Sequence, residues 1–215
     1  MTELRHYSLL ENLCISADEM LKALTNSSKN TGRPSPAKSQ IEESLSDTDR
    51  KMAAALMRVN HTGEVCAQAL YQGQAVVAKS KTLVKEMQKA AVEEGDHLNW
   101  CKDRIVELGS HTSYLNPVWY TGSFVLGLTA GLIGDKWSLG FLAETETQVV
   151  NHLQSHLTKL PEKDAKSKLI VTQMITDELA HKNLAMEKGA AHLPSPIKEL
   201  MRATAKIMTT VAYWI

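Results

Sequence analysis

The stretch Glu178-Leu179-Ala180-His181 has an earlier counterpart in Glu94-Gly95-Asp96-His97. Both are Glu-x-x-His, and residues i and i+3 of a helix lie on nearly the same face, so carboxylate and imidazole point the same way. One such motif is a weak sign, because charged residues are common on solvated helix faces. Each motif is, however, preceded by a single glutamate about one helix earlier. Glu64 lies 30 residues before Glu94, and Glu146 lies 32 before Glu178. The two sets are offset by 82 and 84 residues. The chain thus contains two similar halves, each a helix pair carrying one Glu and one Glu-x-x-His.

Four inward glutamates and two histidines form the ligand set of ferritin-like di-iron and di-manganese bundles. The expected fold is all-α: a ferritin-like four-helix bundle with a long apolar crossover helix and additional N- and C-terminal helices. The candidate metal ligands are Glu64, Glu94, His97, Glu146, Glu178 and His181. Hard oxygen and imidazole donors without a thiolate suit iron or manganese and argue against a structural zinc site. Four carboxylates balance two divalent ions. Glu94 and Glu178, each beside its own histidine, are the natural bridging pair, with Glu64 and Glu146 as terminal ligands. Asp96 and Asp177 are placed to orient the ligating histidines.

At 215 residues the chain has the length of one domain with a real core. Its formal net charge is zero, so nothing draws it toward nucleic acid. Two Phe, 11 Gly and 6 Pro, beside plentiful Ala, Leu, Lys and Glu, favour helices. Three cysteines, with no Cys-x-x-Cys among them, point to a reducing compartment. The N-terminus shows no signal-peptide pattern, and Glu3, Glu11, Asp18 and Glu19 argue against a transit peptide, so the protein is expected on the cytoplasmic side.

Residues 1–45 divide into an N-terminal helix, from about residue 3 to 24, and a flexible linker centred on Asn26 to Pro36. Residues 46–215 form the metal-binding domain. Its helices are expected at about 46–79, 82–108 and 135–159, from Pro161 onward, and after Pro194. Gly63, costly inside a helix, suggests close packing there. His61 is expected to be a polar neighbour, and Glu144 to face outward. His152, six residues beyond Glu146 and on a different face, is a candidate proton relay. The inner face of the helix after Pro161 is assigned to Leu169, Met174, Glu178, His181 and Ala185.

Between residues 112 and 134 lie 23 residues with no charge and no histidine. That length could cross a bilayer, but four glycines and several polar residues dilute it. A bundle of two hairpins also needs a long connection back along its length. The segment is therefore expected to pack one face on the bundle and leave the other apolar, lying in a membrane surface with Trp119, Tyr120 and Trp137 as interfacial anchors. The C-terminal Val211 to Ile215 would join that face; a hydrophobic oligomer interface is the alternative.

Arg58-Val59-Asn60-His61-Thr62-Gly63-Glu64, Glu94 to His97, Glu144-Thr145-Glu146 with His152, and Asp177 to His181 together resemble the demethoxyubiquinone hydroxylase family. The resemblance covers residues 48–215 and all six ligand positions. It implies a di-iron monooxygenase, peripheral on the cytoplasmic face of the cell membrane, which hydroxylates a polyprenylated methoxy-benzoquinol with dioxygen in ubiquinone biosynthesis. Electrons would come from NAD(P)H, another reductant or the quinol itself, since no nucleotide-binding Gly-rich turn is present. Partner proteins of that pathway and a homo-oligomer are compatible with it. Residues 1–45 extend beyond that core, and Asn60 stands where Asp is common in the family. Two other readings remain open: a ferritin-like iron- or peroxide-handling protein, and a metal-free helical scaffold on a membrane surface.

Overall fold

The computed structural model describes residues 9–25 and 27–215, and seven α-helices account for its regular structure, with no strand among the described residues. They are α1 (Leu9–Thr25), α2 (Asp47–Val77), α3 (Lys81–Glu107), α4 (Asn116–Ile133), α5 (Asp135–Lys159), α6 (Ala165–Glu187) and α7 (Ser195–Trp214). The expected start of the first helix, residues 3–8, lies outside the described residues, as does Asn26. Local chemistry sets most boundaries. Ser46 caps α2, its hydroxyl accepting from the Asp49 amide at 3.1 Å, with Asp47 and Asp49 in the first turn. Gly109, at φ +70°, ends α3, and the Ser110 amide folds back onto the Ile105 carbonyl at 3.0 Å.

Helices α2 and α3 form one hairpin, α5 and α6 the other, and α4 is the crossover between them. Thr62 bonds Asn116 near the start of α4, while Gly131 lies against Gln74 near its end, so α4 runs parallel to α2. The two backbones touch. A Cβ on Gly127 would stand 2.3 Å from the Leu70 carbonyl oxygen, and one on Gly73 2.3 Å from that of Phe124. This crossover returns the chain to the end of α2, where the Asp135 carboxylate accepts from the Lys79 and Ser80 amides at 3.1 and 3.0 Å.

Several expectations need correction here. Gly63 has nothing near its Cβ position; the close approach is made by Gly73, Gly127 and Gly131. Helix α2 is buried nearly all round: α4 covers its outer side at Thr62, Leu70, Gly73 and Gln74, while Glu64 points the other way, into the bundle. Helix α6 begins at Ala165, not Pro161. Pro161 closes a turn to the Asp164 amide, and Asp164 then caps α6 through the Ser167 amide at 3.0 Å. Its inner face uses Ile170 and Val171, while Leu169 is exposed. Tyr120 is no surface anchor: it is buried, and its hydroxyl bonds Gln72 of α2.

Two apolar layers fill the bundle. One contains Leu56, Met57, Ile105, Leu153, Ile170 and Met174; the other contains Tyr71, Leu83, Met87, Leu139, Leu142 and Ala185. On each of the four bundle helices the candidate ligands fall between residues of the first layer and residues of the second. The polar cluster is a slice through the middle of the core.

Candidate metal centre

Each bundle helix delivers its carboxylate to this slice: Glu64 from α2, Glu94 from α3, Glu146 from α5 and Glu178 from α6, all at most 3 % exposed. His97 and His181 follow one turn after Glu94 and Glu178. Ligand atoms of Glu64, Glu94, His97 and Glu178 lie within 4.8 Å of one another, and so do those of Glu94, Glu146, Glu178 and His181. Each group could hold a metal ion. Glu94 and Glu178 belong to both, so the slice offers two adjoining four-ligand sites with a shared pair of carboxylates.

The ligand atoms crowd together, and several of them are left without a hydrogen bond. His97 Nδ1 stands 3.0 Å from Glu94, 3.3 Å from Glu178 and 3.5 Å from Glu64. His181 Nδ1 is 3.2 Å from Glu94 and 3.5 Å from Glu178. Glu64 Oε2, Glu94 Oε1, Glu178 Oε2 and His181 Nδ1 are buried without a hydrogen bond. Buried polar atoms are paired in the great majority of proteins, and orphans at this density call for a ligand.

The electrostatics agree. Burial pushes Glu64 and Glu146 well above the usual carboxylate range, and a neighbouring carboxylate adds to it, Glu94 for the first and Glu178 for the second. Burial also disfavours the charged form of Glu94, but His97 and His181 outweigh it and hold Glu94 well below the usual range. For His181 the sign is opposite: burial lowers it, yet Glu178 and Glu94 push it up to about 12. His97 is raised well above its usual value by Glu94, Asp177, Glu178 and Glu64 against the same burial. Four carboxylates closed off from water demand positive charge at their centre, and divalent ions supply it. The residues present therefore fit a dinuclear metal site.

The outer nitrogen of each histidine has its own acid. His97 Nε2 lies 3.0 Å from Asp177, as the sequence suggested, and His181 Nε2 lies 2.6 Å from Glu93. With Nε2 so occupied, Nδ1 of each ring is the atom turned to the carboxylates, where a metal ion would take the place of its proton. Asp96 does not orient a histidine. It accepts from the Thr31 amide at 3.0 Å, from the Thr31 hydroxyl, and from Arg33 at 3.0 Å. Glu93 was masked in the sequence by its neighbour Glu94. Tyr71, whose hydroxyl donates to Glu146, sits two turns after Glu64 on the same face of α2, a spacing that could have singled it out.

His61 and His152 stand outside both groups. Burial lowers His61 to about 3 and His152 to about 4, so both rings are neutral near pH 7. His152 packs on His156, ring centroids 3.9 Å apart. Glu144 turns to Lys198 of α7 at 3.0 Å.

Beside His181 opens a cavity of about 170 Å³, bounded mainly by apolar side chains including Leu83, Met87, Leu139, Leu142 and Ala185. It lies between the two hairpins, with Ser80 and Asp135 from the start of α3 and α5 among its walls.

A family model, Ubiquinone biosynthesis protein COQ7, matches residues 51–212. The chain belongs to this family. Curated relatives support the same assignment along nearly the whole length. A protein of Nitrosococcus oceani is 51 % identical over 211 residues, covering 98 % of this chain and 99 % of the relative. One from Polynucleobacter necessarius is 52 % identical over 209 residues, covering 97 % and 100 %. One from Acinetobacter baumannii is 50 % identical over 212 residues, covering 99 % and 100 %. All three are named 3-demethoxyubiquinol 3-hydroxylase. Among solved structures, a dodecameric thioferritin, the bacterioferritin-related protein of Bacteroides fragilis, aligns with TM-score 0.55 and 16 % identity over 73 % of this chain and 90 % of its own. That likeness confirms the ferritin-like fold of a COQ7-family chain. Among the described residues, no helix is long and apolar enough to cross a membrane.

Proposed function

We propose that this chain is a di-iron hydroxylase of ubiquinone biosynthesis that inserts one oxygen atom of dioxygen into the ring of a polyprenylated demethoxyubiquinol. The observation that carries the reading is the pair of four-ligand groups sharing Glu94 and Glu178, with an apolar cavity at His181. In this reading Glu94 and Glu178 would be shared by two irons, with Glu64 and His97 holding one and Glu146 and His181 the other. Iron in these sites supplies the activation of dioxygen; the remaining work belongs to the protein.

Leu139, Leu142, Met87 and Ala185 offer the quinol ring an apolar wall beside His181, and the isoprenoid chain would run outward between α3 and α5. Asp177 and Glu93 keep the proton of each imidazole on its outer nitrogen. Tyr71 holds Glu146 by its hydroxyl and presents a proton at Glu146 Oε1. His152, neutral at pH 7, is the relay candidate on α5. Inserting one oxygen atom and releasing the other as water consumes two electrons and two protons beyond the substrate, so a reductant such as NAD(P)H or the quinol pool is required.

A peripheral position on the cytoplasmic face of the cell membrane fits the exposed apolar side chains of α4 (Val118, Val125, Leu126, Leu132) and of α7 (Leu200, Ile207, Trp214). Partner proteins or a second copy could share that surface. The test is to reduce iron-loaded protein with a demethoxyubiquinol of short isoprenoid chain under isotopically labelled dioxygen. Labelled oxygen in the ring of the product supports the reading. Oxidation of added ferrous iron with no ring hydroxylation would instead place the chain with iron- or peroxide-handling proteins.

A further inference from the structure

Residues 28–33 carry no helix, yet they lie across the outside of the metal slice and touch both ligand-bearing turns. The Lys29 carbonyl sits on α3 where Gly95 leaves room; a Cβ there would stand 2.1 Å from that oxygen. Thr31 bonds Asp96 through amide and hydroxyl, and Ser28 donates to Gln68 of α2 at 3.0 Å. The Trp100 indole donates to the Arg33 carbonyl at 3.2 Å, and the guanidinium lies 5.1 Å from the Trp100 ring centre. Arg33 then divides its fork. Its Nε donates to Asp96 at 3.0 Å, between Glu94 and His97 on α3, and its Nη2 donates to Asp177 at 2.9 Å, next to Glu178 on α6. The Asp177 oxygen that accepts from Arg33 is the one that holds His97 Nε2.

We propose that this segment is a strap that locks the His97 half of the metal centre, with Arg33 as a positioning residue tying the two Glu-x-x-His turns together. The inference rests on the dinuclear reading given above. A planar, always-charged guanidinium suits the task because it reaches two carboxylates at fixed angles, which a lysine ammonium does not. With Arg33 in place, Asp177 has one orientation and His97 one tautomer. Without it, Asp177 keeps only Gln173 and His97 itself, and the aim of His97 is less firmly fixed. Among the described residues the His181 half has no such tie, and Glu93 is backed by Lys89 alone, at 3.7 Å and largely exposed. The strap therefore makes the two metals unequal in how firmly they are held.

The test compares wild type, Arg33→Ala, Arg33→Lys and Gly95→Ala, all loaded with isotope-enriched iron. Arg33 is partly exposed, so its loss spares the core; Gly95→Ala displaces the strap by a separate route while favouring the helix. Two readouts are taken: the rate at which a chelator removes iron, and the Mössbauer spectrum. Partners of metal-bound histidines are typically worth about 10- to 100-fold in metal affinity. Arg33→Ala and Gly95→Ala should each release one iron per chain about 10-fold faster or more and alter one of the two iron signals, with Arg33→Lys only partly restored. Release rates and spectra identical to wild type would overturn the strap while leaving the dinuclear site standing. Equal weakening of both irons would overturn its restriction to the His97 half. A wild type that binds no iron would overturn the site itself, and the strap with it.

Discussion

The two halves of the metal slice are built from the same motif and finished differently. In the His97 half, Asp177 is held from three sides, by His97, Arg33 and Gln173, and burial is outweighed by those bonds so that its carboxyl stays ionised at any ordinary pH. In the His181 half, Glu93 is half-buried and backed, among the described residues, by an exposed lysine, and an apolar cavity reaches the histidine. One half is braced; the other adjoins an apolar cavity. A symmetric ligand set can thus serve an asymmetric reaction, with metal retention favoured on one side and substrate access on the other.

The sharpest way to break this comparison is to remove ligands singly. Glu94→Ala deletes a carboxylate common to both groups and should abolish binding of both irons, whereas Glu64→Ala and Glu146→Ala should each cost mainly one. Iron per chain by metal analysis decides it, and equal losses in all three would refute the shared-pair geometry. Filling the cavity comes next. Leu142→Trp should leave iron content unchanged while lowering quinol turnover about 100-fold, since displacement of a substrate by about 1 Å can cost that much. A smaller effect is expected from Glu93→Gln, which keeps the shape but removes the charge behind His181: roughly 10-fold weaker iron binding by chelator competition. Lys89→Ala, which removes only an exposed ion pair, should change melting free energy and iron affinity by less than about 0.5 kcal/mol. A large effect of Lys89 would erase the contrast with Arg33.

Much of this site was legible in the sequence because its signals are local and periodic. Glu-x-x-His on a helix and a glutamate one helix earlier follow from helical geometry alone, and the apolar residues at spacings of three and four around Glu94 set its inward face. What was hidden depends on which elements dock. The outer side of α2 is buried because the crossover α4 covers it, and the glycines that permit it, Gly73 and Gly127, meet only in the folded chain. Gly63 carried the same sequence signal and does nothing of the kind. The strap was hidden more deeply. Asn30, Gly32 and Pro34 have a linker's composition, and the bonds of Arg33 reach residues 63 and 144 positions away. No periodicity announces such contacts. Helix α6 shows a milder case, where Pro161 suggested a start but the capping side chain of Asp164 fixed it later.

The central claim is that Glu94 and Glu178 join two metal sites into one centre. It is tested most directly by measuring iron per chain in anaerobically purified wild type beside Glu178→Ala. The account predicts about two irons in the wild type, as in other carboxylate-bridged bundles, and loss of most of both in the variant while the helical fold persists. A wild type without iron, or a Glu178→Ala protein that keeps its full complement, would contradict it.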